Sequence, residues 1–547
     1  MDGRKGRLAA VSAIGIVGLF GLAACAGDGG GGPATGSPVD DLELVDSTPA
    51  RTAPVDAVKW LLSSEPVTLD GDKESGTPED TVLANVCDRL FQLQPDLTTK
   101  PWVAEGIDYP TDKSAVITLR DDVVGRDGGP ITADDVVFSL QRHAAEGADE
   151  ADSFQNVSAI RKTGDHEITL DLMQPDIGLE VSLAGVGGIV YDQDVVETAG
   201  AEFGSPGAPD GCTGIYEVSD WKAGTSLTLA RNDAYWGGNV EDAPQKVTFS
   251  WADSTAAVNA LSTGSVDGAY FSTPELVPAL SGKGDAEAYF GPSTYAYSAA
   301  ITDRGGLKDA RIRTALSLAI DRAGIAKAGF QNFVEPWRTP VGPGAWGYER
   351  DEFQAAMDEI DVAPASPTKE DIARAKELVA EAGLPDAPVV IASDSSPTRS
   401  IMANAIKAAF DSIGVPAEIK TVSEQEVGEF FSKPEVRETA DVVPLGWYIS
   451  RPDPIGFYDN FVTGDGNNWI GYSDPSYDQR VAEAYATLDD TKRAEIVIGI
   501  QSTFIEQMLW VPLVSAPNTL VLDKGLTGAP ASVAYLSYPW AAQLGKK

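Results

Sequence analysis

Hydrophobic and polar positions alternate in two short runs within residues 212–238. Tyr216 and Val218 alternate with polar neighbours, which is the two-residue period of a strand with one buried face. Residues 222–224 interrupt the alternation, and Leu227 starts a second alternating run. Two such runs separated by a glycine-containing turn predict a β-hairpin.

Other segments have a helical period. Apolar residues recur on one stripe of residues 77–92 and of residues 307–330, so each segment is predicted to be helical. Residues 131–140 begin with Thr132 and Asp135, whose spacing is that of a capping box at a helix start. Helical and strand patterns alternate in the second half of the chain, which predicts a mixed α/β fold.

The N-terminus has the pattern of a signal sequence. Arg4 and Lys5 precede an apolar run at residues 8–24, which is too short and too rich in glycine and alanine for a stable membrane span. Cys25 follows directly and resembles the cysteine of a lipoprotein signal, which carries the lipid after cleavage. Residues 25–54 are rich in Gly, Pro, Ser and Asp without periodicity, which predicts a flexible tether.

Length and charge narrow the possible functions. A chain of 547 residues exceeds what a single hydrophobic core usually serves, so we expect two or three domains. The formal net charge of −41 disfavours nucleic acid as a partner, because phosphates would be repelled. It indicates a well-solvated acidic surface.

The sequence shows no pattern of a catalytic or metal site. His143 and His166 stand in separate segments with no ligand spacing, and the chain has no G-x-S-x-G motif. Residues 70–74 resemble a calcium loop only faintly, and a solvated turn is the better interpretation. We therefore expect no enzyme activity, no metal and no cofactor.

Several motifs together resemble a known family, the bacterial extracellular solute-binding proteins of the peptide/nickel class, which are receptors of ABC importers. The motifs occur in the order in which the family has them, between about residues 58 and 522. They are T-G-x-Y at 213–216, W-x-x-G at 221–224, R-N-x-x-Y-W-G at 231–237, T-A-D-D-V-V-F-S at 132–139, T-G-S-V-D at 263–267 and D-A-R-I-R-T-A-L-S-L-A-I-D-R at 309–322.

The resemblance implies an α/β fold of the two-lobed periplasmic-binding-protein type, with mixed sheets. Hinge strands near residues 295–303 and 506–514 would join the lobes. The expected organisation is a signal peptide at 1–24, a tether at 25–54, lobe I at 55–300 and 508–547 with an inserted sub-lobe at about 96–205, and lobe II at 301–507.

The resemblance also implies a ligand site between the lobes. Peptide-binding members commonly carry an aspartate three residues after a tryptophan of this site, and this chain has Ser450 there with Arg451 beside it. The ligand is therefore open between a peptide, a modified peptide and an anionic or sugar-like solute. The expected ligand-binding residues are Glu65, Tyr270, Tyr295, Tyr297, Trp447, Ser450, Arg451 and Asp453, although each aromatic could equally belong to a core.

The function implied is a monomeric, lipid-anchored receptor on the outer face of the cell membrane. It would capture a peptide or peptide-like solute and deliver it to ABC permease subunits. An extracellular sensor or surface scaffold on the same fold is the alternative, and a secreted hydrolase is a more distant one.

The two remaining cysteines, Cys87 and Cys212, would lie in an oxidising compartment, where thiols are more often paired than free. The family fold places both segments in the same lobe, so we predict a disulfide between them. Two buried free thiols are the alternative.

Overall fold

The structure, a computed structural model, describes residues 42–547 apart from residues 75, 127, 275 and 281. The predicted signal peptide, the lipidation site at Cys25 and residues 26–41 of the predicted tether lie outside the described residues. No helix in the described part of the chain is long and apolar enough to cross a membrane.

Lobe I is built on a seven-stranded mixed sheet. The first strand, Ala57–Leu62, runs parallel to Lys246–Trp251 on one side and to Gly268–Phe271 on the other. The predicted hairpin is confirmed at one edge of this sheet, where Val218 lies opposite Leu229. In spatial order the strands are Ala286–Gly291, Asn518–Asp523, Gly268–Phe271, Ala57–Leu62, Lys246–Trp251, Ser226–Arg231 and Tyr216–Lys222.

Lobe II is built on a six-stranded mixed sheet. Its central strand, Ala296–Ile301, pairs antiparallel with Val442–Trp447 and with Val511–Ser515. In spatial order the strands are Glu335–Pro336, Val511–Ser515, Ala296–Ile301, Val442–Trp447, Val389–Ser393 and Ala417–Thr421.

This pairing corrects the expected lobe boundaries. Strands Ala296–Ile301 and Val511–Ser515 are hydrogen-bonded into the lobe II sheet, so neither is a hinge strand and the boundaries at 300/301 and 507/508 are misplaced. The chain passes between the two sheets at residues 292–295 and 516–517. The sequence predicted where the strands lie. The sheet that each strand joins depends on partner strands more than a hundred residues away in the chain.

A third, four-stranded antiparallel sheet forms the sub-lobe. The helix Ala133–His143 packs against it, and the apolar side chains between them form a core separate from that of the lobe I sheet. The predicted capping box is confirmed, because the Thr132 N–H donates to the Asp135 carboxylate at 2.9 Å. In spatial order the strands are Ala104–Thr111, Ser114–Leu119, Glu167–Leu172 and Val157–Gly164.

Two predicted helices are shorter than their apolar periods suggested. The first ends at Val86, because Cys87 has an extended backbone. The segment predicted at 307–330 is two helices, with the second capped by Asp321, whose side chain accepts from the Gly324 N–H. The α-helices are Thr77–Val86, Ala133–His143, Leu179–Ser182, Gln193–Ala199, Ser254–Ser262, Val277–Leu280, Ala310–Ala319, Arg322–Phe330, Arg350–Asp358, Lys369–Ala382, Pro397–Ile413, Glu424–Ser432, Pro434–Arg437, Ile455–Tyr458, Pro475–Ala486 and Asp490–Gln507.

Residues 42–54 do not continue the predicted tether. Thr48 is buried and its hydroxyl donates to Ala529 O at 3.0 Å, and the Thr52 N–H donates to Lys546 O at 2.8 Å. The segment therefore packs along the C-terminal residues. The polar composition of this segment predicted flexibility. In the fold, however, polar groups of the segment form hydrogen bonds with main-chain atoms of the C-terminal residues.

The predicted disulfide is confirmed. Cys87 and Cys212 are bonded, with their Cα atoms 4.7 Å apart, and they close a loop across 125 positions of the chain. The bond ties the end of the helix Thr77–Val86 to the segment that leads into the hairpin, so it encloses the whole sub-lobe.

Candidate functional site

An open cleft of about 520 Å³ lies between lobe II and the sub-lobe. Most of its wall is the turn that follows the strand Val442–Trp447, and Asp152 contributes from the sub-lobe. The lining residues are Asp152, Phe431, Gly446, Trp447, Tyr448, Ile449, Ser450, Arg451, Gly456, Asp459 and Asn460. The cleft therefore combines aromatic rings, two carboxylates and one guanidinium.

The turn that lines the cleft is anchored from behind by Asp453. This carboxyl is only 5% exposed, and it accepts from Arg493 at 2.9 Å and from the Tyr348 hydroxyl at 3.3 Å. A buried acid with these partners cannot reach a ligand without breaking an ion pair. Asp453, expected from the sequence to bind the ligand, does not line the cleft, and its contacts position the turn.

Trp447 and Tyr448 form the aromatic part of the wall. The ring of Trp447 stacks on Phe431 with centroids 5.5 Å apart and packs edge-on against Trp510 at 5.4 Å. Tyr448 is 65% exposed. Ser450 is also exposed and lines the cleft. The structure thus brings Trp447 and Ser450 together, as the sequence predicted, and adds Tyr448.

The two tyrosines of the segment entering lobe II differ in position. Tyr295 is half-buried, and its ring lies against the backbone of Gly446, where even a Cβ would collide with it. Tyr297 is 8% exposed and packs against Tyr295 at 5.1 Å and Phe330 at 5.2 Å. Tyr295 therefore supports the cleft wall from one side, whereas Tyr297 belongs to the lobe II core.

Arg451 crosses the cleft. Its Nη1 donates to the Ser182 hydroxyl of the sub-lobe at 2.8 Å. A main-chain hydrogen bond lies nearby, from the Ile177 N–H to Tyr485 O at 3.1 Å. These contacts join the sub-lobe to lobe II at one end of the cleft.

Asp459 lies next to this crossing point. The Tyr485 hydroxyl donates to its carboxylate at 2.6 Å. Burial raises the pKa of Asp459 to about 6, against the opposing effects of the Tyr485 hydrogen bond and of the positive charge on Arg451. The cleft therefore contains a carboxyl group that titrates close to neutral pH.

Two of the expected ligand-binding residues lie elsewhere. Glu65 accepts from Trp221 Nε1 at 3.0 Å and from the Gly224 N–H at 2.9 Å, so it holds the turn of the hairpin. Tyr270 is buried in the lobe I core, where its ring stacks on Tyr535 at 3.8 Å and its hydroxyl donates to Pro530 O at 3.0 Å. Neither residue lines the cleft, and both have structural partners that satisfy their polar groups.

The acidic stretch 70–74 is not a solvated turn. Asp70 and Asp72 are buried, and both pair with Arg142. His143 lies between Asp72 and the carbonyl of Ile189. This network joins the start of lobe I to the helix Ala133–His143. Among the described residues, no group of three or more His, Cys, Asp or Glu side chains is placed to hold a metal ion.

Sequence reasoning missed Asp152, the sub-lobe acid that lines the cleft. No periodicity or motif marks it, and only the fold brings it opposite the turn of lobe II. Enclosure by the surrounding protein, and after it the negative charges of Asp80, Asp149 and Glu150, raise the pKa of the partly exposed Tyr448.

Two α/β lobes with a solute-sized cleft at their boundary define the class of two-lobed periplasmic binding proteins. The family model "Bacterial extracellular solute-binding proteins, family 5 Middle" matches residues 93–469. The chain belongs to this family, which confirms the resemblance read from its motifs.

Individual relatives agree with this assignment. The chain is 25% identical over 494 residues to the periplasmic oligopeptide-binding protein OppA of Salmonella typhimurium, covering 85% of this chain and 88% of the relative. It is 24% identical over 479 residues to the glutathione-binding protein GsiB of the same organism, covering 84% and 89%. The fold is similar to that of the ABC transporter substrate-binding protein CtaP from Listeria monocytogenes, with a TM-score of 0.75, 20% identity and coverage of 90% and 99%.

Proposed function

We propose that this protein is a lipid-anchored extracellular receptor that captures a peptide or peptide-like solute between its lobes and delivers it to the permease subunits of an ABC importer. The observation that carries the proposal is the cleft, to which lobe II contributes Trp447, Tyr448 and Arg451 and the sub-lobe contributes Asp152. Apolar walls with a few placed polar groups are typical of small-molecule sites.

The named ligands of the relatives favour a peptide. OppA is named for oligopeptides and GsiB for glutathione, which is itself peptide-like. Arg451 does not by itself favour an anionic solute, because its guanidinium already donates to Ser182 and lies in the field of Asp176 and Asp459. A peptide or peptide-like solute is therefore preferred over an anionic one.

The proposed location follows from the N-terminal sequence. Cys25 would carry the lipid after removal of residues 1–24, and more than one acyl chain is needed for stable anchoring. The receptor would then be held at the outer face of the cell membrane beside its permease.

The proposal is tested by binding and by uptake. Native mass spectrometry of the purified protein should reveal a carried-over peptide, and calorimetry should show that Tyr448→Ala weakens binding of that peptide at least about tenfold. Tyr289→Ala is the matched control, since Tyr289 lies on lobe I and does not line the cleft. Peptide uptake should be lost on deletion. Intact uptake with altered signalling would instead support a sensor.

A further inference from the structure

The chain passes from lobe I to lobe II through residues 292–295, and its main-chain partners change sides within this segment. The Pro292 carbonyl accepts from the Val533 N–H at 3.1 Å, and Val533 lies in the C-terminal part of lobe I. The next carbonyl, that of Ser293, accepts from the Gly344 N–H at 2.9 Å, and Gly344 lies beside the lobe II core. Because the two carbonyls are tied to different lobes, a change in the angle between the lobes is absorbed at this crossing between Pro292 and Ser293.

Thr294 follows directly on the lobe II side of this crossing. Its carbonyl accepts from the Gly342 N–H at 3.1 Å, and a Cβ on Gly342 would collide with the main chain of Ser293. Thr294 is only 4% exposed. The loop at Gly342 therefore encloses the crossing closely and ties Thr294 to lobe II.

The side chain of Thr294 reaches the wall of the cleft. Its hydroxyl donates to Ile449 O at 2.8 Å, and Ile449 lines the cleft in the turn after the strand Val442–Trp447. This turn has left the lobe II sheet, since the pairing with the strand Ala296–Ile301 ends at Trp447. The Thr294 hydroxyl therefore attaches the cleft wall to the crossing beyond the last main-chain pair of the two strands.

Thr302 makes an equivalent contact at the other end of the same strand pair. Its hydroxyl donates to Ala440 O at 2.5 Å, and Thr302 is 3% exposed. Neither Thr302 nor Ala440 lines the cleft. The two threonines are thus alike in burial and in the kind of bond, but they connect different parts. Thr294 joins a lobe crossing to the cleft wall, whereas Thr302 joins two strand ends outside the cleft.

We propose that Thr294 is a positioning residue that couples the crossing between the lobes to the solute site, through the hydrogen bond of its hydroxyl to Ile449 O. This rests on the proposed function and names a means by which that site is linked to the angle between the lobes. A solute that binds the turn would hold Ile449 and, through Thr294, the crossing. Loss of the hydroxyl leaves the buried Ile449 carbonyl without this donor, so the turn can move independently of the crossing.

The test compares Thr294→Val with the matched control Thr302→Val in the full mature protein. Valine has nearly the shape of threonine and lacks the hydroxyl, so each variant removes one buried hydrogen bond to a main-chain carbonyl. Thr294→Ser keeps the hydroxyl and is the rescue variant. Thermal melts show which variants are folded, and Thr294→Ala takes the place of Thr294→Val should the latter not fold.

Hydrogen exchange of the protein without added solute measures the positioning of the turn. Exchange in the fragment 446–455 should be about tenfold faster in Thr294→Val than in the wild type, as expected for the loss of a buried hydrogen bond. Thr302→Val should leave this fragment unchanged, and Thr294→Ser should restore the wild-type rate. This measurement does not depend on which solute the protein binds.

Calorimetry with the peptide Ala-Ala-Ala measures the coupling to binding. The peptide should bind about tenfold more weakly to Thr294→Val than to the wild type, whereas Thr302→Val should bind it as the wild type does. Thr294→Ser should restore the binding. A general loss of stability would affect both valine variants alike, so a difference between them reports the connection to the cleft.

Unchanged exchange of the fragment 446–455 in Thr294→Val, or an equal rise in both valine variants, would overturn the positioning role. The peptide receptor would still stand if the wild type binds Ala-Ala-Ala. Equal binding of Ala-Ala-Ala to the wild type and to Thr294→Val would overturn the coupling to the solute site. If the wild type does not bind Ala-Ala-Ala, that result counts against the peptide function, and the exchange rates decide the role of Thr294 on their own.

Discussion

Arg451 and Ser182 join the two sides of the cleft: the guanidinium of lobe II donates to the sub-lobe hydroxyl at 2.8 Å. The two residues are 269 positions apart in the chain, so the contact depends on how the sub-lobe and lobe II lie against each other. We expect this hydrogen bond to favour a narrow cleft over an open one.

The first prediction concerns this contact. Ser182→Ala removes the acceptor and should shift the protein without added solute toward an open form by about tenfold, as expected for a hydrogen bond to a charged group. Small-angle scattering should show a larger radius of gyration than for the wild type. Ser158→Ala, which removes an exposed sub-lobe hydroxyl that donates to Asp171 O, is the control. Identical radii for Ser182→Ala and the control would contradict the prediction.

The second prediction concerns the pH dependence of stability through Asp459. Burial raises the pKa of Asp459 from its ordinary 3.8 to about 6, so the folded protein holds this proton more tightly than the unfolded chain. The favourable contribution is present below pH 3.8 and is lost as the pH rises through about 6.

Urea unfolding of the wild type and of Asp459→Asn measures this effect. The free energy of unfolding of the wild type should fall relative to that of the variant between about pH 4 and pH 6, by up to about 3 kcal/mol. If the difference in the free energy of unfolding between the wild type and Asp459→Asn stays constant with pH, the pKa of Asp459 is not raised in the folded protein.

The third prediction concerns Arg322, which is fully buried in lobe II. Its guanidinium donates to Pro512 O at 2.9 Å and to Ser317 O at 2.8 Å, and burial lowers its pKa to about 9. Arg322→Ala leaves these carbonyls unsatisfied and should reduce the free energy of unfolding by about 3–5 kcal/mol.

Arg311→Ala is the matched control for Arg322→Ala. Arg311 forms an exposed ion pair with Asp309 at 2.6 Å, and such pairs contribute about 0–1 kcal/mol. If chemical unfolding shows similar losses in the free energy of unfolding for Arg322→Ala and Arg311→Ala, the buried guanidinium stabilises the protein no more than an exposed ion pair does.

The fourth prediction concerns the disulfide between Cys87 and Cys212. The double variant Cys87→Ser with Cys212→Ser should lose up to about 4–5 kcal/mol of stability, because the bond closes a loop of more than a hundred residues in the unfolded chain. Chemical unfolding measures the loss. Each single variant should lose a similar amount, since either change removes the bond. Two reactive thiols in the denatured, unreduced mature protein would contradict the bond itself.

The fifth prediction concerns Cys25. If it carries the lipid, Cys25→Ala should appear in the soluble fraction, whereas the wild type should sediment with membranes. The mass of the mature wild-type protein should lack residues 1–24 and include the acyl chains. Continued membrane fractionation of Cys25→Ala would refute lipidation at this residue.

The parts of the fold that depend on near neighbours could be predicted from the sequence. Alternation around Tyr216 and Val218 predicted the hairpin, and the spacing of Thr132 and Asp135 predicted the capping box, because both features are formed by residues a few positions apart. The ordered motifs identified the family and thereby the two-lobed fold. For the site, the segment at Trp447 and Ser450 was predicted on the same basis.

The tertiary structure decided which chemically suitable residues reach the cleft. Glu65, Tyr270 and Asp453 have the right side chains, but hydrogen bonds and ring contacts with distant elements hold them in the hairpin turn, the core and a buried ion pair. Asp152 carries no sequence signal, and only the fold brings it to the cleft. The periodicity of a sequence shows which face of a helix or strand is buried. Which element packs against that face is decided by contacts between residues that are far apart in the chain. The residues that line a cleft between lobes are therefore determined only by the assembled tertiary structure.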